Sequence, residues 1–388
     1  MPFLTIIIIA KLISPEAFGE LTLYFIAYEF LIIFIGNNIS AVSRIDFFNL
    51  NRSSLFVGKK AHIIGSIIIA ISLLIFGLAA SSIFLFNLLY FSILVFASLF
   101  RTVSFFVLAD LQCKQESLVY AKLNLVYVLT LNIAFLLLIY FYKDVNTWFY
   151  SLVIGAFIQM VISFYILKRE PIFNYAINVK INSKRIIKEF SAGLIFIPQA
   201  IGFWIKFGID RILLLMLTTE FILGNYMFSF QLSFPIVILS TAINLFMTPK
   251  INLCLKNKKK HEILKKCNLF TVLIFVSFIV VYFFSKIVIT NFYLDSYSKS
   301  LDYLFLICFS MFFHSSMLVY LNIFYYIGKK KFVSYYIFVT SVLNLIFGYF
   351  SIKIGGVYGL LILNIIINSL SFFFVFFKIR LTFLKKQK

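Results

Sequence analysis

Little in this chain is charged. Of its 388 residues 13% are charged, and acidic side chains are the scarcest, with 14 Asp and Glu against 35 Lys and Arg. Soluble domains carry about 25% charged residues. With 62% of the residues hydrophobic, the chain has too few polar groups to cover a water-facing surface, and most of it is expected to lie in lipid. Cysteine is sparse as well. Cys113, Cys254, Cys267 and Cys308 form no CxxC pair, and His62, His261 and His314 lie far apart. Neither a disulfide framework nor a metal site is expected, and no cofactor. GxGxxG and Walker motifs are missing, which argues against an ATPase or a soluble-type transferase. Paired carboxylates at an active-site spacing are also missing. The opening MPFLTIIIIAKLISPE lacks a basic n-region and a small-residue cleavage site, so it is not a signal peptide. The ten residues before Lys11 are too few to cross a bilayer, which takes about 20, and the first helix is expected to be truncated.

What the chain has in abundance is apolar runs of spanning length. They fall at 1–10 (partial), 17–43, 61–79, 83–108, 118–141, 147–167, 190–217, 221–247, 268–290, 301–327, 332–352 and 356–377. No alternating ten-residue pattern points to a barrel. The predicted fold class is therefore all-α: a polytopic membrane protein of about twelve transmembrane helices. The most polar stretch, KREPIFNYAINVKINSKRIIKE (168–189), follows the sixth segment. It divides the chain into a six-helix lobe at 1–170, a cytoplasmic linker at 171–189 and a second six-helix lobe at 190–388. SPEAFGELTLYFIAYEF (14–30) and TTEFILGNYMFSFQLSF (218–234) share a Ser/Thr, a Glu and a Gly before a long helix, a faint internal repeat.

The net charge of +21 follows the alternation of segments. Connections after even-numbered segments hold 27 of the 35 basic residues, those after odd-numbered segments hold five, and three lie within spans. This is the positive-inside pattern, and it places the C-terminus in the cytoplasm. Charge spread over many short loops, KNKKKHEILKK (256–266) among them, argues for contact with membrane lipids and against nucleic acid. The connections on the other side are short, the longest being 288–303, so no enzymatic domain is expected there.

Three charges interrupt an apolar stretch at GFWIKFGIDRILLLM (202–216): Lys206, Asp210 and Arg211. A charge at the bilayer centre costs about 2.5–3.5 kcal/mol on insertion scales. Lys206 and Asp210 are four apart and can pair along one helix face, whereas Arg211 lies about 100° round from Asp210. Two readings follow: Arg211 reaches the headgroups, or the segment lines a cationic cavity for an anionic substrate. Arg101 within a span, and Glu29 and Arg44 in or at the end of the second segment, are further candidates for that cavity. Pro198 and Pro235 lie inside the seventh and eighth segments and predict kinks, the first about two turns before Lys206. His314 is expected to be a packing residue.

Four stretches carry a resemblance: LISPEAFGELTLYFIAYEF (12–30), FSAGLIFIPQAIGFWIKFGIDRILL (190–214), LGNYMFSFQLS (223–233) and YIGKKKFVSYYIFVTSVLNLIFGYFSIKIGGVYG (326–359). In order and spacing the chain resembles the Wzx-like polysaccharide flippases of O-antigen and capsule loci, within the MATE/MOP exporter superfamily. The resemblance implies two six-helix bundles around a central cavity. It implies a bacterial inner-membrane flippase for undecaprenyl-diphosphate-linked oligosaccharide, working beside a polysaccharide polymerase and a chain-length regulator. Two alternatives remain open. A MATE-type drug or cation antiporter would want an acidic cavity, and a membrane-embedded glycan polymerase or ligase would want a larger outer loop.

Overall fold

The structure is a computed structural model that describes residues 3–81, 87–256, 260–293 and 295–384. Residues 257–259 of the basic run, Lys385, Lys386 and Lys388 of the tail, and most of the 81–86 connection lie outside the described residues. The described elements are helical. In chain order they are α1 (Phe3–Leu12), α2 (Pro15–Gly36), α3 (Ile39–Asn49), α4 (Arg52–Ser81), α5 (Leu88–Cys113), α6 (Ser117–Tyr142), α7 (Thr147–Lys168), α8 (Ile172–Asn178) and α9 (Ser183–Ser191). Then come α10 (Ile197–Trp204), a π turn (Ile205–Ile209), α11 (Asp210–Leu217), α12 (Glu220–Ser233), α13 (Pro235–Lys256), α14 (Lys260–Phe292), α15 (Ser298–Tyr326) and α16 (Lys330–Leu384).

Ten stretches among the described residues are long and apolar enough to cross a membrane. The difference from twelve has two sources. At ten residues α1 is below crossing length. The last stretch, Lys331–Thr382, merges two expected segments, because α16 breaks internally at Gly356 with φ 57° and ψ −142°. Only glycine adopts that conformation freely. Elsewhere α4 turns Ile68, Ile71, Ile75 and Leu78 outward at spacings of three and four, an apolar stripe suited to lipid.

Helix ends follow local chemistry. Asn37 and Asn38 take left-handed φ of 39° and 55° and separate α2 from α3. The Asn87, Asn182 and Thr219 side chains cap α5, α9 and α12, accepting from Leu89 N–H at 3.0 Å, Arg185 N–H at 2.9 Å and Ile222 N–H at 3.4 Å. Both prolines expected to kink helices fall inside spanning stretches, at a change of element. Pro235 opens α13 and Pro198 sits in the first turn of α10, after a 3₁₀ turn at Leu194–Phe196. There the missing N–H costs nothing.

The chain forms two compact units. The first contains Tyr24–Trp204, and the second contains Phe3–Leu23 and Ile205–Lys388. The polar 171–189 stretch, expected as a cytoplasmic linker, lies in the first unit. It folds into α8 and α9, and Ala176, Ile172 and Phe173 join a core with Phe56, Phe106 and Leu111. Trp148 is fully buried among Tyr24, Phe25, Tyr28 and Phe149.

In the second unit Phe18 of α2 packs edge-on against Phe228 and Tyr297, with centroids 6.2 and 6.3 Å away. This contact needs close backbone approach. A Cβ on Gly19 would meet Gly224 N at 3.4 Å and Glu220 O at 3.1 Å, and a Cβ on Gly224 would run into the Pro15 carbonyl. The two glycines of the faint repeat thus face each other. Hydroxyls join α12 and α13 to α15: Ser229 donates to Ser300 O at 2.6 Å, Ser300 to Asn225 O at 2.9 Å, and Ser240 to Ser315 O at 3.2 Å. Between apolar helices such small polar residues hold backbones close. Gly224→Val should therefore overpack this contact and destabilise the fold by about 1–3 kcal/mol or more. Gly355→Val, with nothing within 4 Å of the added atom, should be tolerated. Thermal melts of both variants in detergent check this.

Candidate functional site

The sequence candidates divide between the two units. In the first unit Glu29 is exposed on α2, and Arg44 is exposed on α3 with its guanidinium donating to Gln112 Oε1 at 3.3 Å. Arg101 on α5 is partly buried. It donates to Gln159 Oε1, and its guanidinium stacks 3.8 Å from the Tyr127 ring and 4.6 Å from Phe105. Gln159 in turn donates to Leu123 O at 3.1 Å. Arg101 is thus tied to α6 and α7 by hydrogen bonding and cation–π contact.

Sequence reasoning missed a larger cluster in this unit. Arg52 forms a bidentate pair with Asp110 and reaches Glu170 at 3.3 Å. Lys114 bridges the same two acids, meeting Asp110 at 3.0 Å. Lys59, fully buried, binds Asp46 at 2.6 Å. By sequence position these cations count among the basic residues of the connections. The missed signal was Asp110, an acid near the end of an apolar run and four residues before Lys114. Lys114 lies outside the spanning stretches. Burial works to lower its pKa, but hydrogen bonds to Glu170 and Asp110 prevail and hold it above the ordinary lysine value.

In the second unit Lys206, Asp210 and Arg211 come together, at 7%, 5% and 6% exposure. Lys206 lies in the π turn and Asp210 opens α11. A π turn closes i→i+5 bonds and rotates the residues that follow it relative to an α-helix. The expected Lys206–Asp210 ion pair is not formed among the described residues. Asp210 Oδ2 instead accepts from Tyr226 O–H at 3.2 Å and from Asn364 Nδ2 at 3.0 Å. Arg211 turns to the Phe230 ring, 5.2 Å from its centroid.

Beside Lys206 and Asp210 lies a cavity of about 30 Å³, with Tyr226, His314, Asn364 and Asn368 also in its wall. His314, expected to be packing, is buried there at 1% exposure. Asn368 donates to Ser310 Oγ at 2.8 Å. Oδ1 of Asp210 and Oδ1 of Asn368 are buried without a hydrogen-bond partner among the described residues. Asn364 and Asn368 were not singled out, although their spacing of four puts both on one helix face. Tyr226 was hidden in an aromatic-rich segment.

No family model matches the sequence, and no curated protein matches it. Solved structures do. The chain is similar to a multidrug resistance MATE family transporter of the MOP superfamily in an inward-facing conformation, with TM-score 0.74, 14% identity, and 98% of this chain and 94% of that one covered. It is similar to the lipid II flippase MurJ in an inward closed conformation, with TM-score 0.71, 14% identity, and 95% and 82% covered. A MOP superfamily transporter from Pyrococcus furiosus, whose binding pocket has reverse polarity, matches with TM-score 0.67, 14% identity, and 99% and 92% covered. At these identities the likeness is one of fold. The all-α membrane architecture read from the sequence is this MATE-like fold.

The acid-centred cluster of the first unit has a measurable weight. Asp110→Asn leaves Arg52 and Lys114 sharing Glu170, and should destabilise the protein by about 2 kcal/mol. The loss should shrink in high salt, since Arg52 is partly exposed, and thermal melts at two ionic strengths check it.

Proposed function

We propose that the chain is a flippase that moves undecaprenyl-diphosphate-linked oligosaccharide from the cytoplasmic to the periplasmic leaflet of a bacterial inner membrane. What carries this reading is the burial of two basic side chains, Lys206 and Arg211, in a fold shared with a lipid II flippase. A diphosphate cannot cross hydrocarbon bare. Guanidinium and ammonium groups in a water-poor site replace its hydration and offset its charge. In the first unit Arg101 is a further cation within the apolar helices, and Glu29 and Arg44 are the polar candidates on α2 and α3.

Alternating access by two lobes would carry the headgroup across while the lipid tail stays in the bilayer. The lobes proposed are those either side of 171–189, with the C-terminus cytoplasmic. The polymerase and the chain-length regulator would act on the delivered product. The fold is equally that of multidrug MATE transporters, but a cationic drug wants acidic walls. The one carboxylate in the described wall, Asp210, is engaged by Tyr226 and Asn364.

Lys206→Ala and Arg211→Ala should each lower surface glycan about tenfold or more, the weight of a lost charged hydrogen bond to phosphate. Lipid-linked precursor should accumulate inside the cell, while Lys353→Ala should behave as wild type. Normal surface glycan in both variants at normal protein level would reject the reading.

A further inference from the structure

A larger cavity lies elsewhere in the second unit. It holds about 530 Å³. Pockets that take small ligands run to about 300–1,000 Å³. Its wall comes from two turns far apart in sequence. The turn between α1 and α2 brings Lys11 and Ser14, and the turn between α14 and α15 brings Asp295 and Ser296. Phe292, the last residue of α14, and Tyr293 after it complete the polar side with their rings. In the alternation of the chain both turns belong to the connections with few basic residues. Both also stand at the ends of spanning stretches, one starting at Pro15 and one ending at Phe292. Aromatic residues gather at that level, where lipid headgroups lie.

The wall carries one cation and one anion, and they do not answer each other. Among the described residues neither Lys11 nor Asp295 takes part in an ion pair. Lys11 is held by rings instead. Its ammonium stands 5.0 Å from the Phe292 centroid and 5.9 Å from that of Tyr293, a cation–π contact that leaves it without a counter-ion. Tyr293 is fixed by burial at 4% exposure, whereas Phe292 is 61% exposed and has ring surface left to offer. Ser14 Oγ accepts from Ala17 N–H at 3.3 Å, so its own proton is available to a ligand. A plain anion in this space would face Asp295, and a plain cation would face Lys11. A negative group joined by a short arm to an ammonium satisfies both.

We propose that this pocket binds a phosphoethanolamine group, with the phosphate at Lys11 and Ser14 and the ammonium at Asp295 and the Phe292 ring. The place of the pocket at helix ends assigns that group to the headgroup of a bilayer phospholipid, with its chains beside the exposed ring. The proposal is independent of the cargo and of Lys206 and Arg211.

The test is native mass spectrometry of the full chain from detergent micelles that contain phosphatidylethanolamine, phosphatidylcholine or phosphatidylglycerol with the same acyl chains. Phosphatidylethanolamine should bind about tenfold tighter than the other two, because choline has no N–H to give Asp295 and glycerol has no positive charge for it. Lys11→Gln and Asp295→Asn should each remove most of that preference. Lys299→Gln, at an exposed cation outside the pocket, should keep it. The substituted side chains are exposed, and melting temperatures establish that each variant is folded. No preference in the wild type, or a preference that survives in Lys11→Gln and Asp295→Asn, would overturn the proposal. A loss in one of these two variants alone would reveal a site for a plain anion or cation, and overturns it as well. Soluble phosphoethanolamine should compete only far above the lipid concentration. Displacement at equal concentration would assign the pocket to a soluble ligand and reject the lipid.

Discussion

One oxygen of Asp210 accepts from Tyr226, 16 residues along the chain, and from Asn364, 154 residues along. A carboxylate taken out of water needs such donors, and in a helix bundle they come from other helices. The interaction therefore sets α11, α12 and α16 about a common point. Much of the second unit is arranged to allow it. The hydroxyl contacts between α12 and α15 hold Tyr226 in place, and the turn at Gly356 returns the chain so that Asn364 and Asn368 come round to the cavity.

The same constraint organises the first unit differently. There the acids Asp110 and Glu170 are shared between Arg52 and Lys114, so charge answers charge. In the second unit neutral amides and a phenol do the work, and Lys206 stays unpaired with the acid four residues away. A paired cluster is a stable arrangement with nothing left to bind. A carboxylate held on one oxygen only retains capacity for something else.

Composition and periodicity made the helical spans legible, because lipid imposes a single rule along the whole chain: long apolar runs with the basic residues in alternate connections. The departures came where local geometry overrode period. The Lys206–Asp210 pairing assumed an unbroken α-helix, and nothing in IKFGI marks a π turn except the glycine within it. The polarity of 171–189 marks a boundary, but the seat that Ile172, Phe173 and Ala176 give it on the core has no signal in composition. Partners from distant helices, such as Tyr226 and Asn364 for Asp210, leave no short-range signal. Their polarity could be seen, but their destination depends on packing.

The break at Gly356 is open at its tip, since an added Cβ would find no neighbour within 4 Å at Gly355 or Gly356, while Gly359 behind it lies against the Ser351 carbonyl. Two long apolar helices are thus joined by a corner whose tip is sterically vacant. Such a corner is a natural attachment point. A small probe or a few inserted residues at Gly355 would change the outline of the molecule without entering its packing, and would report from which side of the bilayer that corner is reached.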